Sequence, residues 1–356
     1  PSQFYIFSNI ISGLSEKHHV IVTYNAKDVV EDLINSSSLK DKAFKIENDS
    51  SYSSSYAQLK KFINKEIGLY KRLKKFRPDL IIGTSVIIAH IARLLGSKNI
   101  IINEDDFDVI SGTARIGYPF ASHIVSPYIT RTGKWDSKVI KYNGYQKLAY
   151  LHPNIFQSDE TILKKNINRN RNFSIIRFAK LKAHHDKGIK GLDIDVVRSL
   201  INNLEEQGDV YISSEIDMPE DLKPYELRIP VQHIHTFIKH SQLLISDSQS
   251  MSVEAAMLGI PSIRFNDMVG KISVLEELEK KYQLTFGIKT SEPRKLIYTA
   301  SEIVNNENIQ SLFKERHDKM IQDKINVLNF FIWLIDYFPD SIQIVKKSPE
   351  YLKENF

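Results

Sequence analysis

The sequence predicts an α/β protein made of two doubly wound domains, each a parallel sheet covered by helices on both faces, with a cleft between them. Short apolar segments such as "VIVTY" and "PDLIIG" alternate with amphipathic helical segments, and this alternation is typical of parallel strands buried on both faces. It starts again at "FSIIRF". With 356 residues, the chain is also too long for one ordinary hydrophobic core.

The same pattern predicts where the domains begin and end. The first domain takes residues 1–150 and the second takes residues 151–325. Residues 326–356 are expected to form an apolar helix around Trp333 that packs back on the first domain. Because an opening helix leads directly into the buried strand "VIVTY", we also expect a first strand to be missing from this sequence.

Composition excludes several kinds of site. The absence of cysteine excludes disulfides, thiolate metal ligands and a cysteine nucleophile, and it fits a reducing cytoplasm. The net charge of +5 is spread over lysine-rich segments, which suits an anionic small ligand or peripheral contact with a membrane. No basic and aromatic platform indicates nucleic-acid binding. The apolar run "VLNFFIWLI" is about half the length of a membrane-spanning helix.

The start of the segment "SDSQSMSVEAAMLGIPSIR" has the features of an anion-binding site. A strand ends at Ser246, and a helix is predicted to begin near Ser250. The free backbone N–H groups of the first helical turn attract anions such as phosphate. The side chains of Ser248, Gln249 and Ser250 add hydrogen-bond donors at the same place.

Glu254 would complete a nucleotide site in this segment. About one turn inside the helix, its carboxylate can accept hydrogen bonds from two vicinal hydroxyls, as on a ribose. Met251, between the two parts, is assigned to the same nucleotide site. The alternative is that Ser250 only caps the helix and Glu254 only favours the positive end of the helix dipole. A capping box places the acid three residues after the cap, whereas Glu254 is four residues after Ser250.

Arg177 ends the first strand of the second domain and is expected to face the cleft, where its planar guanidinium suits a diphosphate. The loop beyond it contains His184, His185 and Asp186. A His–Asp pair can transfer protons or bind a metal. No third ligand is suitably spaced, so no metal is expected, and His185 is retained as a catalytic candidate. The alternative for this loop is a solvated surface.

The segment "NEDD" provides candidate bases in the first domain. Glu104, Asp105 and Asp106 follow a buried strand, and three adjacent carboxylates repel each other, which favours proton uptake by one of them. Glu104 and Asp105 are therefore the candidate catalytic bases. The alternative is a solvated helix start, which also favours acidic residues.

Other polar residues lie where strands end or helices begin. Ser213 and Ser214 end a strand on the same side as Ser246 and are assigned to the nucleotide. Four residues are assigned to the acceptor side of the cleft: Thr84, Ser85, Asn143 and His233.

Taken together, these segments resemble known families. "SDSQSMSVEAAMLGIPSIR" resembles the nucleotide-sugar motif of GT-B proteins, which UDP-N-acetylglucosamine 2-epimerases and many GT-B glycosyltransferases carry. Over nearly the whole chain, the ordered series "PDLIIGTS", "NEDD", "YNGYQKLAYLHP", "IIRFAKLKAHHDKGIKGL" and "ISSE" is similar to an uncharacterised prokaryotic family of GT-B-like proteins. The resemblance implies two Rossmann-like domains. It also implies that Ser248, Gln249 and Glu254 contact the nucleotide, with Glu254 on the ribose.

The function that the resemblance implies is glycosyl transfer. We expect a UDP-sugar donor, a glycan or lipid-linked acceptor, no metal or cofactor, and a role in polysaccharide biosynthesis in the cytoplasm. The first alternative is a nucleotide-sugar epimerase or hydrolase. The 2-epimerases carry a glutamate at the strand end of Glu104, but "GTS" replaces their acidic residue after the preceding strand. The second alternative is a non-catalytic protein that binds nucleotide sugars.

Overall fold

The computed structural model describes residues 1–14, 16–26, 29–48, 55–167, 171–178, 191–214 and 217–356. The chain divides into two compact units. Unit 1 combines Pro1–Tyr150 with Ile325–Phe356, and unit 2 is Leu151–Lys324.

Eleven strands are formed by the described residues, and all of their pairings are parallel. In unit 1 they are β1 Val22–Ala26, β2 Ala43–Asn48, β3 Leu80–Gly83, β4 Lys98–Ile102, β5 His123–Pro127 and β6 Val139–Tyr142. In unit 2 they are β7 Phe173–Phe178, β8 Asp209–Ser214, β9 Leu243–Ser246, β10 Ser262–Phe265 and β11 Thr285–Ile288. The predicted α/β class is therefore confirmed.

Helices connect most successive strands, as parallel pairing requires. The α-helices of the described residues are α1 Ser2–Leu14, α2 Val30–Asn35, α3 Ser55–Phe76, α4 Ile87–Leu95, α5 Phe107–Gly117, α6 Leu148–Leu151, α7 Glu160–Asn166, α8 Ile194–Leu204, α9 Ile234–His240, α10 Gln249–Met257, α11 Ser273–Lys280, α12 Pro293–Val304, α13 Ile309–Asp323, α14 Val327–Asp336, α15 Asp340–Lys347 and α16 Tyr351–Asn355. No helix in the described ranges is long and apolar enough to cross a membrane.

The sheets of unit 1 run in sequence order. Strands β3, β4, β5 and β6 lie side by side in that order, and β1 pairs with β2 in a separate sheet. The apolar core of this unit joins α3 and α4 to the four-stranded sheet, and buried Ile91, Ala92 and Ile101 belong to it. Thr84, Glu104 and Asn143 each follow the end of one of these strands. They therefore lie at the same carboxyl edge of one parallel sheet.

The segment after residue 324 belongs to unit 1 and forms three short helices, where one was expected. Helix α14 packs on α1, and the ring of Tyr142 lies 5.4 Å from that of Phe330 and 5.5 Å from that of Phe331. Ile325 N donates to Asn143 O at 2.9 Å. Buried aromatic packing therefore attaches this segment to the end of β6.

Unit 2 has the strand order β11-β10-β9-β7-β8. The chain runs outward from β7 in both directions, which is the doubly wound pattern. One face of the sheet packs Ile176, Ile245 and Ile263 against α8 and α12. Because side chains alternate along a strand, Arg177, Ser246 and Arg264 belong to the opposite face.

Candidate functional site

The turn between β9 and α10 is organised by two serine hydroxyls. Ser248 N donates to Ser246 Oγ at 2.9 Å, and Ser248 Oγ accepts from Met251 N at 3.4 Å. The helix begins at Gln249, one residue before the predicted start near Ser250, and its N-cap is Ser248 instead of Ser250. The physical reason is that Ser248 adopts the extended backbone conformation that an N-cap needs. Gln249 and Ser250 stand in the first turn and are partly exposed.

Glu254 lies deep in this helix, where the side chain is only 6% exposed. Its Oε2 is 3.4 Å from Nε2 of His235, a residue of α9 that is equally buried. The ring of His235 also meets the edge of Phe156, with ring centroids 6.3 Å apart. With the cap at Ser248, Glu254 is six residues beyond it, which excludes a capping box. The acid instead has an ionisable partner on the neighbouring helix.

His235 was not selected from the sequence. The sequence predicted a role for the nearby His233, but only the packing of α9 against α10 shows that His235 is the histidine that meets Glu254. His233 is 3.6 Å from Asp159 Oδ2 and partly exposed. It therefore lies at a different contact from the one made by His235.

Arg177 occupies one row of side chains that crosses the sheet of unit 2. Its register neighbours are Ser213 on β8 and Ser246 on β9. Arg177 Nη1 donates to Ser213 Oγ at 2.7 Å. Ser214 pairs with Phe178 instead, so alternation turns it to the opposite, apolar face. The structure therefore brings Arg177 and Ser213 together and separates Ser214 from them.

The same row contains Arg264, which the sequence did not identify as a site residue. It is the register neighbour of Ser246 and is completely buried. Its Nη2 lies 3.6 Å from Glu279 Oε2 and 3.7 Å from Glu276 Oε1. Burial lowers the pKa of the guanidinium, and the two glutamates oppose that effect. The row thus places two arginines at the carboxyl edge of one sheet.

In unit 1, the three carboxylates of "NEDD" have different surroundings. Buried Glu104 forms an ion pair with Lys147 and also accepts from Gln146 N at 3.0 Å. Buried Asp106 accepts from Arg131 N at 2.8 Å. Asp105 is exposed. The mutual repulsion expected from the sequence is therefore offset by partners from other elements, which sequence spacing did not identify.

The remaining candidates take up separate positions. Ser85 Oγ accepts from Ile87 N at 3.4 Å at the start of α4, and Thr84 precedes it at the end of β3. Asn143 holds the C-terminal segment through its carbonyl. His185 lies outside the described residues. In the parts of the chain that are described, no group of three or more His, Asp or Glu side chains is arranged to hold a metal ion.

No protein-family profile matches the chain, and no curated protein sequence matches it either. Solved structures are similar in fold over nearly its whole length. UDP-N-acetylglucosamine 2-epimerase from Rickettsia bellii has a TM-score of 0.60 at 15% identity and covers 98% of this chain and 96% of its own. Anabaena HepE in complex with UDP and glucose has a TM-score of 0.60 at 12% identity, covering 95% and 96%.

Glycosyltransferases are also among the similar structures. The glycotransferase of kitacinnamycin has a TM-score of 0.58 at 10% identity and covers 95% of this chain and 96% of its own. At such identities the likeness concerns the fold. This chain therefore has the Rossmann-like α/β fold of GT-B proteins, which glycosyltransferases and UDP-N-acetylglucosamine 2-epimerases share.

Proposed function

We propose that this protein is a metal-independent glycosyltransferase that uses a UDP-sugar donor and a glycan or lipid-linked acceptor, in polysaccharide biosynthesis in the cytoplasm. The observation that carries the proposal is the carboxyl edge of the unit 2 sheet. There the Arg177–Ser213 pair shares a row with Ser246, directly before the N-terminus of α10. An arginine fork and a helix N-terminus both favour a phosphate group.

In this proposal the donor is held by unit 2. Arg177 and the backbone N–H groups at Gln249 and Ser250 bind the diphosphate. Glu254 accepts hydrogen bonds from the ribose hydroxyls, and His235 orients its carboxylate. Transfer needs protein donors that stabilise the departing UDP, and a preformed set of N–H groups meets that need without reorganisation.

Asp105 is the general base that we propose in unit 1. Lys147 and Gln146 N already hold the carboxylate of Glu104. Asp105 is exposed at the same strand end and can reach solvent and an acceptor hydroxyl. Glu104 then has a positioning role, because its ion pair connects the end of β4 to the segment before α6.

Nucleotide binding is tested by calorimetry with UDP. Glu254→Gln and Arg177→Ala should each weaken binding by about tenfold or more, because charge-assisted hydrogen bonds contribute roughly 1.5–3 kcal/mol. Glu307→Gln, an exposed acid of unit 2, serves as the control and should leave the affinity unchanged. Wild-type protein without measurable affinity for UDP would contradict the proposal.

The epimerase alternative is supported by the fold shared with the 2-epimerase from Rickettsia bellii. Incubation with UDP-N-acetylglucosamine alone distinguishes a glycosyltransferase from an epimerase or hydrolase. A transferase should leave the sugar intact until an acceptor is added, whereas an epimer or free sugar in the acceptor-free sample would establish the alternative. If UDP binds but neither reaction occurs with any acceptor fraction, the non-catalytic binding protein is favoured.

A further inference from the structure

The outer surface of unit 1 beside α4 exposes a cluster of large apolar side chains, here called the apolar patch. Its members come from α3, α4, α5 and the turn after α5, and their exposed fractions are Ile63 45%, Ile67 46%, Leu94 67%, Ile116 54% and Phe120 47%. Single exposed apolar residues are ordinary, but a contiguous cluster of them marks an interaction surface.

His90 connects the elements that contribute to the patch. Its Nδ1 hydrogen-bonds Glu66 of α3, and its Nε2 lies 3.0 Å from the carbonyl oxygen of Ile116. Its ring meets Phe62 edge-on at 6.1 Å and Phe120 at 5.0 Å. The middle of α3 and the last turn of α5 are thereby both held against α4, so the exposed side chains belong to one surface.

The patch does not result from a helix that faces the wrong way. On α3, Leu69 and Leu73 are buried in the core, whereas Ile63 and Ile67 stand one turn apart on the exposed side. On α4, Leu94 follows His90 by one turn, again on the outer face. The hydrophobic core of unit 1 is therefore complete without these side chains, which remain exposed to solvent.

Exposed basic residues lie on the same helices as these side chains. Residues 62–77 contain Lys65, Lys71, Arg72, Lys74, Lys75 and Arg77 against one acid, Glu66. That acid is bonded to His90. Arg93 and Arg115 add positive charge next to Leu94 and Ile116 in the sequence. Exposed apolar and basic side chains on the same helices complement the interface of a membrane that contains anionic lipids.

A polar cavity of about 450 Å³ adjoins the patch at the amino ends of β4 and β5. Arg93, Lys98, Ser97 and Ser122 line it, and Phe120 belongs to both the cavity and the patch. The two basic side chains suit a phosphate, and the Ser122 hydroxyl can donate to it, whereas the Ser97 hydroxyl already donates to Pro78 O at 2.6 Å. The cavity lies at the opposite edge of the sheet from Glu104, so it is separate from the proposed catalytic end.

We propose that this face docks on the surface of an anionic membrane, with the apolar patch at the boundary of headgroups and acyl chains and the cavity on a lipid phosphate. Docking does not depend on sugar transfer, although it agrees with a lipid-linked acceptor. Charge complementarity distinguishes this occupant from a second copy of the chain, because two copies would bring the basic residues of these helices close together.

The experiment is cosedimentation of the full chain with vesicles. Wild-type protein should bind phosphatidylcholine vesicles that contain phosphatidylglycerol, should not bind phosphatidylcholine alone, and should dissociate as salt is added. The double variant Leu94→Asp with Ile116→Asp should lower the partition coefficient at least about tenfold, because it places charges among acyl chains. Arg93→Glu should also weaken binding. Tyr298→Asp, at an equally exposed position of unit 2, should change nothing.

Melting curves and UDP calorimetry without vesicles accompany each variant, so a folding defect or a failure of the nucleotide site is recognised separately. Wild-type protein that ignores anionic vesicles would overturn the proposal. So would equal binding by the double variant, or a dimer in sedimentation equilibrium that the double variant dissociates while vesicle binding is absent.

Discussion

At the residue scale, the central feature of unit 2 is the buried contact between Glu254 and His235. A carboxylate that is 6% exposed loses much of its hydration, and a partner on the neighbouring helix offsets that loss. The same contact fixes the direction in which the carboxylate points. A ribose clamp needs such a fixed direction, because a bidentate hydrogen bond to vicinal hydroxyls is lost when the acid rotates.

This contact predicts coupling between the two residues in nucleotide binding. His235→Gln should weaken UDP binding several-fold, and Glu254→Gln should weaken it more. The double variant should be no weaker than Glu254→Gln alone, because His235 acts through the acid. Calorimetry on the four proteins measures the cycle. Additive losses would mean that His235 contacts the nucleotide independently or only supports the fold.

His123 of unit 1 predicts a dependence of stability on pH. Burial, with Lys346, Lys98 and Lys138 nearby, lowers the pKa of this histidine to about 4, and its Nδ1 is buried without a hydrogen-bond partner among the described residues. Between pH ~6.5 and ~4 the unfolded chain takes up a proton that the folded chain does not. This contribution to stability is therefore complete above pH ~6.5 and is lost as the pH falls toward ~4.

His123→Gln removes that linkage. Urea unfolding at pH 7 and pH 5 should show a smaller loss of stability on acidification for the variant than for wild type. The carboxylates titrate in both proteins, so they cancel in the comparison. Equal losses in the two proteins would contradict the assignment to His123.

At the element scale, strand register decides which polar residues meet. Parallel strands β8, β7 and β9 place Ser213, Arg177 and Ser246 at one level. A shift of one residue would turn Arg177 into the apolar face that packs on α8 and α12. The register is fixed by that apolar face, so the core of unit 2 determines the geometry of its polar edge.

The packing of β11 against α11 predicts that Gly287 does not tolerate a larger side chain. A Cβ at Gly287 would lie 2.8 Å from Glu279 Oε2 and 2.9 Å from both Arg264 Nη2 and Val269 Cγ1. Because the ends of the Glu279 and Arg264 side chains can shift, Gly287→Ala should lower the free energy of unfolding by about 1 kcal/mol, the low end of the cost of overpacking. Gly112→Ala is the matched control, because its Cβ meets nothing within 4 Å. Urea denaturation measures both, and equal stabilities would contradict the close packing around Arg264.

At the scale of the whole molecule, binding of UDP should increase the stability of the folded protein. A ligand that binds only the folded protein stabilises it by about 2.7 kcal/mol at a hundred times its Kd. Saturating UDP should therefore raise the melting temperature, and EDTA should leave the increase unchanged because the proposed site uses no metal. Scanning calorimetry with UDP, EDTA and both reagents tests this. Loss of the UDP effect in EDTA would show that a cation is required.

Much of the architecture was accessible from the sequence, because alternating apolar strands and amphipathic helices follow from local spacing. Boundaries were less accessible. The strand predicted at "VIVTY" occupies Val22–Ala26, and α10 begins at Gln249 because Ser248 takes the capping conformation. Both depend on backbone conformations that neighbouring residues permit and tertiary contacts select.

The sequence by itself determined the α/β class, the two runs of alternation, and the polar turn with an acid in the helix behind it. These features depend on residues close together in the chain. Only the tertiary structure decided that Glu254 meets His235 and that Lys147 forms an ion pair with Glu104. It also placed Arg177 and Arg264 in one row of the sheet. The physical reason is that the two residues of each pair are 19 to 87 positions apart in the sequence. Only the packing of helices and the register of strands place them near each other.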